Sequence, residues 1–311
     1  MKKVIIVTLM AFVFSTKFYA QTISVLETKQ ITNSNEGEFY FPHFSNDDSE
    51  IIFTKSNYKG LFKKNLDSKN IIQVTDENGS GYKPFISEIS DEIFFKSFVN
   101  KEGRKFNSLK KYDLNLKTTE TIEQNQRMIN LLNQTNSNKV SYLVNSSYKS
   151  FSLANTKLSK TNVEPNALYA ENNQLYLQQN NTSVNLSPLG EGVYVWESLS
   201  KDGKNIAFTF GNKGAYVCDL DGEILLNIPE AHYPQFSPDG KFILYMIDKD
   251  NGTSYTSSDV FVYSIEEEKN YPITNTKDKI EMYAEWSKAG DSIVYHATNG
   301  EIFITKLDIQ N

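Results

Sequence analysis

The chain has 311 residues and a formal net charge of −6 at pH 7, and 39% of its residues are hydrophobic and 13% aromatic. This length and aromatic content supply a sizeable core, which excludes a chain that is disordered throughout. The acidic balance and the lack of a long Lys or Arg block argue against a nucleic-acid-binding surface and against a patch for anionic membranes.

Residues 1–20 have the pattern of a secretory signal peptide. Lys2 and Lys3 form a positive start, residues 4–15 form an apolar run that is short for a bilayer span, and residues 16–20 form a polar cleavage region. An uncleaved membrane anchor is the alternative, and it is disfavoured because no stop-transfer segment follows. No Cys lies at the cleavage point, which disfavours a lipoprotein. We therefore predict that residues 21–311 are exported, periplasmic or secreted, and have no membrane span.

An internal repeat runs through the rest of the chain, and each copy contains a Ser eight residues before an aromatic residue. Five copies share this spacing, namely Ser45 and Phe53, Ser87 and Phe95, Ser200 and Phe208, Ser237 and Tyr245, and Ser287 and Tyr295. The Ser-Pro-Asp-Gly sequence at residues 237–240 is typical of a tight turn, because Pro presets φ and Gly accepts a positive φ. The pattern therefore predicts a strand, a turn and a second strand in each copy.

Two further strands complete the predicted unit. A third strand ends in an Asp or Asn turn, as at residues 218–222, and a fourth ends in an apolar residue followed by a hydroxyl, as at Val74-Thr75 and Ile273-Thr274. Four strands over roughly 40 residues match the size of a β-propeller blade. The first strand segment, near residues 25–32, has no blade of its own, whereas the last copy has only three strands. We expect this N-terminal strand to complete the last blade and close the ring, which removes an exposed sheet edge.

The number of blades depends on the middle of the chain, where Ser87 and Ser200 lie 113 residues apart. Five segments in this interval have strand character, at residues 140–144, 150–154, 167–170, 174–177 and 183–186. One normal and one enlarged blade give six blades in total, whereas three blades, two of them short, give seven. We favour six and keep seven open.

The repeat resembles that of a known family. An apolar residue and a hydroxyl, a dozen further residues and then Pro-x-Phe-Ser-Pro-Asp-Gly-Lys are similar to the TolB-like, or PD40, propeller repeats, and residues 234–245 match best. The resemblance covers about residues 22–311 and implies one all-β domain, a TolB-like β-propeller, over residues 21–311. The motif is specific for fold and uninformative about function, because its residues build turns and cores. Members of the family include bacterial envelope proteins and the propellers of prolyl-oligopeptidase-type enzymes.

Three residues are candidates for ligand contact. In a propeller the first strand of each blade lines the central channel, so we expect His43, Trp196 and His232 to face it. A metal site is disfavoured, because the chain has three His in total and no His-x-x-x-His or Cys-x-x-Cys spacing. No residue is assigned a catalytic role, no cofactor is expected, and the single Cys218 is predicted to be buried and inert.

Two functions remain open at this point. The first is a non-catalytic, monomeric binding module of the cell envelope that presents its funnel and loops to a protein partner. The second is an enzyme that acts on polysaccharide or peptide at the channel mouth. No Gly-x-Ser-x-Gly sequence marks an attached α/β-hydrolase domain, and Arg104 and Arg127 are the only arginines, which weakens a multi-arginine carboxylate clamp. We therefore favour the binding module.

Overall fold

The protein folds as a ring of antiparallel sheets. The computed structural model describes residues 22–134, 137–153, 165–179 and 182–310, so the predicted signal peptide lies outside the described residues. Within these ranges the strands form seven sheets, which we call blades 1 to 7. The helical content of the same ranges is one short 3₁₀ turn, Ser56–Tyr58, and no helix there is long and apolar enough to cross a membrane.

Each blade is given from its innermost strand outward. Blade 1 contains β2 (Tyr40–Phe44), β3 (Glu50–Lys55), β4 (Lys59–Asn65) and β5 (Ile71–Asn78). Blade 2 contains β6 (Phe85–Ile86), β7 (Glu92–Lys101), β8 (Arg104–Asp113) and β9 (Thr118–Gln126). Blade 3 contains β10 (Ile129–Leu131), β12 (Lys139–Val144) and β13 (Ser147–Ser152). Blade 4 contains β11 (Asn133–Gln134), β14 (Ala167–Glu171), β15 (Gln174–Gln179) and β16 (Thr182–Asn185).

The remaining three blades follow in the same order. Blade 5 contains β17 (Tyr194–Leu199), β18 (Asn205–Phe210), β19 (Ala215–Asp219) and β20 (Ile224–Ile228). Blade 6 contains β21 (His232–Phe236), β22 (Phe242–Asp250), β23 (Tyr255–Ser264) and β24 (Lys269–Pro272). Blade 7 contains β25 (Glu281–Trp286), β26 (Ser292–Ala297), β27 (Ile302–Gln310) and, as its outermost strand, β1 (Thr22–Gln30).

The all-β propeller predicted from the repeat is confirmed, whereas the preference for six blades is wrong. The described strands form seven sheets, as the open alternative required. The reason lies at residues 129–134. There β10 pairs with β12 of blade 3, whereas β11, which follows after a single residue, pairs with β14 of blade 4. One short stretch thus supplies the inner strands of two blades, and blade 4 has no anchor Ser by which its start could be counted.

The N-terminal strand β1 lies against the last strand of the chain. Its pairing with β27 is antiparallel and runs from Thr22 opposite Gln310 to Gln30 opposite Phe303. Just beyond it, the Thr32 hydroxyl accepts a hydrogen bond from the backbone N–H of Ile302 at 3.0 Å. Strands from both ends of the described chain therefore belong to the same sheet, and β1 covers an edge that β27 would otherwise expose.

The anchor Ser of each repeat joins the first strand of a blade to the second. The buried Ser237 hydroxyl donates to Asp239 Oδ1 at 2.6 Å and accepts from the backbone N–H of Phe242 at 3.0 Å. Ser200 makes the same two bonds, to Asp202 and from Asn205. A buried hydroxyl needs hydrogen-bond partners, and this one both donates and accepts, which explains why this position is Ser.

The hydrophobic cores lie between neighbouring blades. The aromatic residues eight positions after the anchor Ser are all among them, with exposed fractions of 0 to 3%: Phe53, Phe95, Phe208, Tyr245 and Tyr295. Aromatic side chains bury a large apolar area, so each blade is fastened to the next by the residues that the repeat conserves in spacing. Cys218 lies in the core between blades 4 and 5 and is buried, as predicted, and burial raises the pKa of its thiol to about 12.

Candidate functional site

A cavity of about 460 Å³ lies where the inner strands converge, and we call it the funnel. Its wall is rich in aromatic side chains, of which six matter below: Phe41, Tyr58, Tyr82, Trp196, Tyr233 and Tyr283. A second cavity of about 220 Å³ adjoins it and extends toward the anchor turns. The two cavities share five polar or charged lining residues, namely Asn133, Gln134, Gln235, Glu285 and Lys288. We call these five residues, which line both cavities, the polar waist of the funnel.

Four of the rings occupy the same position of the repeat, four residues before the anchor Ser. Phe41, Trp196, Tyr233 and Tyr283 all have left-handed backbone conformations, with φ between 51° and 56°. At each of them the register of the inner strand shifts, which is the mark of a β-bulge. A bulge redirects a side chain, and a non-Gly residue at this φ costs about 1–2 kcal/mol. The same strained geometry recurs in four blades, which makes these positions candidates for a functional surface.

The rings pack on one another and form a continuous wall. The centroids of Trp196, Tyr233 and Tyr283 lie 5.1 to 6.2 Å apart, with their planes steeply inclined. Phe41 extends the wall, at 4.8 Å from Tyr283 and 4.9 Å from Tyr58. Edge-to-face contacts of this kind hold aromatic rings in fixed orientations. The wall is therefore a preformed apolar surface that needs little rearrangement to receive a ligand.

A carboxylate lies at the waist below this wall. Glu285 Oε1 lies 2.8 Å from His43 Nδ1 and accepts a hydrogen bond from the Tyr233 hydroxyl at 3.2 Å. Burial raises the pKa of Glu285, but His43, Lys288 and the Tyr233 hydroxyl outweigh it and hold that pKa below its ordinary value. Glu285 is thus a charged group whose partners are already in place.

His296 lies behind the wall and supports it. Its ring is stacked on Tyr283 with an interplanar angle of 7°, and its Nδ1 accepts a hydrogen bond from the backbone N–H of Phe41 at 3.2 Å. Burial lowers the pKa of His296 to about 3, so the imidazole is neutral and keeps this acceptor. The bulge at Phe41 is therefore fixed by a side chain from the neighbouring blade.

The mouth of the funnel is flanked by two hairpins that are longer than those of the other blades, β7–β8 and β22–β23. Their turns lie at the end of the ring opposite the anchor turns, which is the end where the four rings are. Tyr255, at the start of β23, hydrogen-bonds to Tyr283. Burial raises the pKa of Tyr283 far above its usual range, and this hydrogen bond raises it further. One hairpin thus reaches over the aromatic wall.

The comparisons with known proteins concern the fold. TolB from Acinetobacter baumannii superposes with a TM-score of 0.50 at 16% identity, over 78% of this chain and 56% of that one. The protein has a TolB-like β-propeller fold. The chain spans little more than half the length of that TolB, and an identity below 25% supports likeness of fold alone.

Two oligogalacturonate lyases are also similar to the propeller. One, in complex with manganese, has a TM-score of 0.49 at 11% identity, over 89% of this chain and 79% of that one. The other, from Vibrio parahaemolyticus, has a TM-score of 0.48 at 11% identity, over 92% and 98%. The chain matches no protein-family model and no curated protein.

The three residues predicted to contact a ligand lie in or beside the funnel. His43 and Trp196 both line the funnel. His232 lies beside Trp196, with ring centroids 5.7 Å apart, and its Nδ1 lies 2.6 Å from Asp248 Oδ1. The structure thus places His232 at the edge of the wall rather than among the lining residues. Among the residues described, no group of three or more His, Cys, Asp or Glu is arranged to hold a metal ion.

Other funnel residues were missed at the level of the sequence. Trp196 is equivalent in the repeat to Phe41, Tyr233 and Tyr283, which the sequence analysis did not select, whereas Trp286 packs in the core between blades 6 and 7. The spacing could have shown this, because four of the five anchored copies have an aromatic residue four positions before the Ser.

Proposed function

We propose that this protein is an exported, non-catalytic and monomeric binding module of the bacterial cell envelope, whose funnel receives a segment of a protein partner. The observation that supports this is the wall of four aromatic rings held on strained bulges around a cavity of about 460 Å³. Rigid aromatic anchors in a concave site are typical of surfaces that carry binding energy. Residues 1–20, with the pattern of a signal peptide, support export.

The protonation states of the wall favour binding over catalysis. Burial and the adjacent Glu285 carboxylate raise the pKa of Tyr233 well above its ordinary value, and burial does the same to Tyr283. Glu285 has a pKa below its ordinary value. General acid–base catalysis is most efficient when the pKa of the group is near the working pH. These three groups each keep one protonation state near neutral pH, which suits recognition.

The chemistry of the funnel fits an extended peptide segment. The aromatic wall offers contact to apolar or aromatic side chains of the partner. Gln235 and Asn133 at the waist carry amide groups, which pair well with backbone N–H and C=O groups. A segment that enters the funnel would therefore meet apolar contacts first and polar contacts deeper in.

The test is affinity capture of residues 21–311 from envelope extract, read by mass spectrometry and followed by direct binding measurements. The double variant Trp196→Ala, Tyr233→Ala removes two rings of the wall. The matched control is Tyr169→Ala, Tyr176→Ala, which removes a stacked pair from the strands of blade 4. We expect one envelope protein to be recovered by wild type and control, and its affinity to fall at least about 10-fold in the funnel variant. Equal recovery by all three proteins would show that the funnel is not the binding site.

An enzyme that acts on polysaccharide or peptide is the second candidate, and one observation favours it. His43 and Glu285 lie 2.8 Å apart in the funnel, and a His next to a carboxylate is a common general-base arrangement. Turnover of oligosaccharides or peptides by the wild type, abolished in His43→Gln, would establish this function in place of the binding module.

A further inference from the structure

Three lysines come together at the rim of the funnel on blade 2. Lys83 lines the funnel itself and occupies, with φ 46°, the position that the four rings occupy in other blades. Lys96 is on β7, and Lys105 is on β8 opposite Asn100. Alternate residues of a strand share a face, so Lys96, Asn100 and Lys105 lie on the same side of the hairpin. The residues are distant in the sequence, which is why no basic block is visible there.

These lysines are held by aromatic rings more than by carboxylates. Lys96 Nζ lies 4.8 Å from the centroid of the Tyr82 ring, and Lys105 Nζ lies 4.0 Å from that of Phe98. Lys83 Nζ lies 3.3 Å from Glu197, whereas neither Lys96 nor Lys105 has a carboxylate partner among the described ion pairs. Five lysines elsewhere lie 2.6 to 3.2 Å from a carboxylate, namely Lys63, Lys110, Lys149, Lys279 and Lys288. The cluster is therefore a local excess of positive charge on an acidic chain.

The lowered pKa of Lys96 agrees with the close placement of the three lysines. Burial, followed by the charges of Lys83 and Lys105, lowers the pKa of Lys96 to about 8. Crowded ammonium groups repel one another, and a nearby anion relieves that repulsion. A negatively charged group placed between these lysines is attracted to all of them, which lowers the electrostatic energy of the cluster.

We infer that Lys83, Lys96 and Lys105 form an anion subsite at the funnel rim, which takes the carboxylate side chains of an acidic segment of the protein partner. The inference rests on the proposed function, since Lys83 belongs to both the subsite and the funnel. Charge complementarity supports this occupant, and the half-exposed ring of Tyr82 adds apolar contact beside the charges. The hairpin turn, with Lys101 and Arg104 at its ends, is charged, which disfavours insertion of this hairpin into a membrane.

The probe is a fluorescent peptide of ten Glu residues, with a ten-residue Gln peptide as its uncharged counterpart, measured by fluorescence anisotropy. The double variant Lys96→Gln, Lys105→Gln removes two charges from the subsite. The matched control Lys101→Gln, Arg104→Gln removes two charges from the opposite face of the same hairpin. We expect the subsite variant to weaken binding of the Glu peptide at least about 10-fold, the control to change it less than about 3-fold, and added salt to weaken binding by wild type.

Different results would contradict the subsite itself and its assignment to an acidic peptide. No binding of the Glu peptide by wild type, or equal losses in the two double variants, would overturn the subsite. Tighter binding of an oligogalacturonate of similar charge than of the Glu peptide would assign the subsite to a uronic acid polymer and overturn the peptide assignment. Thermal unfolding of each variant shows whether it is folded, and protection of Lys96 from acetylation by the bound peptide reports on the subsite without any substitution.

The same set of proteins separates this inference from the proposed function. If an envelope partner needs the Trp196 wall but is indifferent to Lys96 and Lys105, the subsite is wrong and the binding module stands. If the Glu peptide needs the two lysines but no envelope partner is captured, the subsite stands and the proposed partner is wrong.

Discussion

Burial of His296 makes the fold sensitive to acid. Its pKa is about 3 in the folded protein, against about 6.5 for an unperturbed His, so the unfolded chain takes up a proton that the folded chain excludes. Stability therefore falls as the pH drops below about 6.5, by up to about 1.4 kcal/mol per pH unit. Urea unfolding at pH 7.5, 6.5 and 5.5 measures this slope. We expect a shallower slope in His296→Gln, which keeps an acceptor for Phe41, and parallel slopes would contradict the assignment.

The left-handed backbone at Trp196 predicts an unusual order of stabilities. At φ 55° an L side chain is strained and Gly is not, so Trp196→Gly should be more stable than Trp196→Ala by about 1 kcal/mol. Both variants lose the ring, so both should lose partner binding. The control is Trp286, which packs in the core on β25, and there Gly should be the less stable of the two. Denaturant unfolding of the four variants checks the order, and the same order at both sites would contradict it.

At the scale of the structural element, the anchor turn depends on its buried hydroxyl. Ser237→Ala removes the bond to Asp239 and leaves the backbone N–H of Phe242 without its acceptor. The expected loss of stability is about 1–3 kcal/mol, because an unpaired buried donor retains its desolvation cost. Ser257→Ala on the exposed part of β23 is the control and should change stability by less than about 0.5 kcal/mol. If the two variants changed the melting temperature equally, the buried hydroxyl would not explain why Ser recurs at this position of the repeat.

The turns and cores of the blades could be predicted from the sequence because they are local. An anchor Ser and an aromatic residue eight positions later report on one hairpin, so blades 1, 2, 5, 6 and 7 could be placed. Blades 3 and 4 could not be counted, because β10 and β11 share one stretch of chain and short strands leave little pattern. The partner that a strand takes within a blade is a tertiary property that spacing alone does not encode.

The candidate site was predicted only in part for the same reason. Position in the inner strand was enough to select His43 and Trp196, which line the funnel. Glu285 was missed because its partners His43 and Tyr233, which help to lower its pKa, lie on the inner strands of two other blades. The lysine subsite was missed because residues 83, 96 and 105 meet only when the β7–β8 hairpin folds against the start of blade 2.

At the scale of the whole molecule, β1 covers the outer edge of blade 7. Deleting residues 22–30 should leave the N–H and C=O groups of β27 unpaired, lower the melting temperature and promote association between molecules. Light scattering after size exclusion and thermal unfolding measure the two effects. Leu26→Ser is the control, because this exposed residue can be replaced without loss of the backbone pairing. A deleted protein that stays monomeric with an unchanged melting temperature would show that β1 contributes little.

The four ring positions lie outside every hydrophobic cluster that joins the blades. Their backbone conformation comes from the bulge and the anchor turn, and it disfavours all L side chains to a similar extent. Substitutions at these four positions therefore change the wall of the funnel while leaving the clusters that hold the blades together intact.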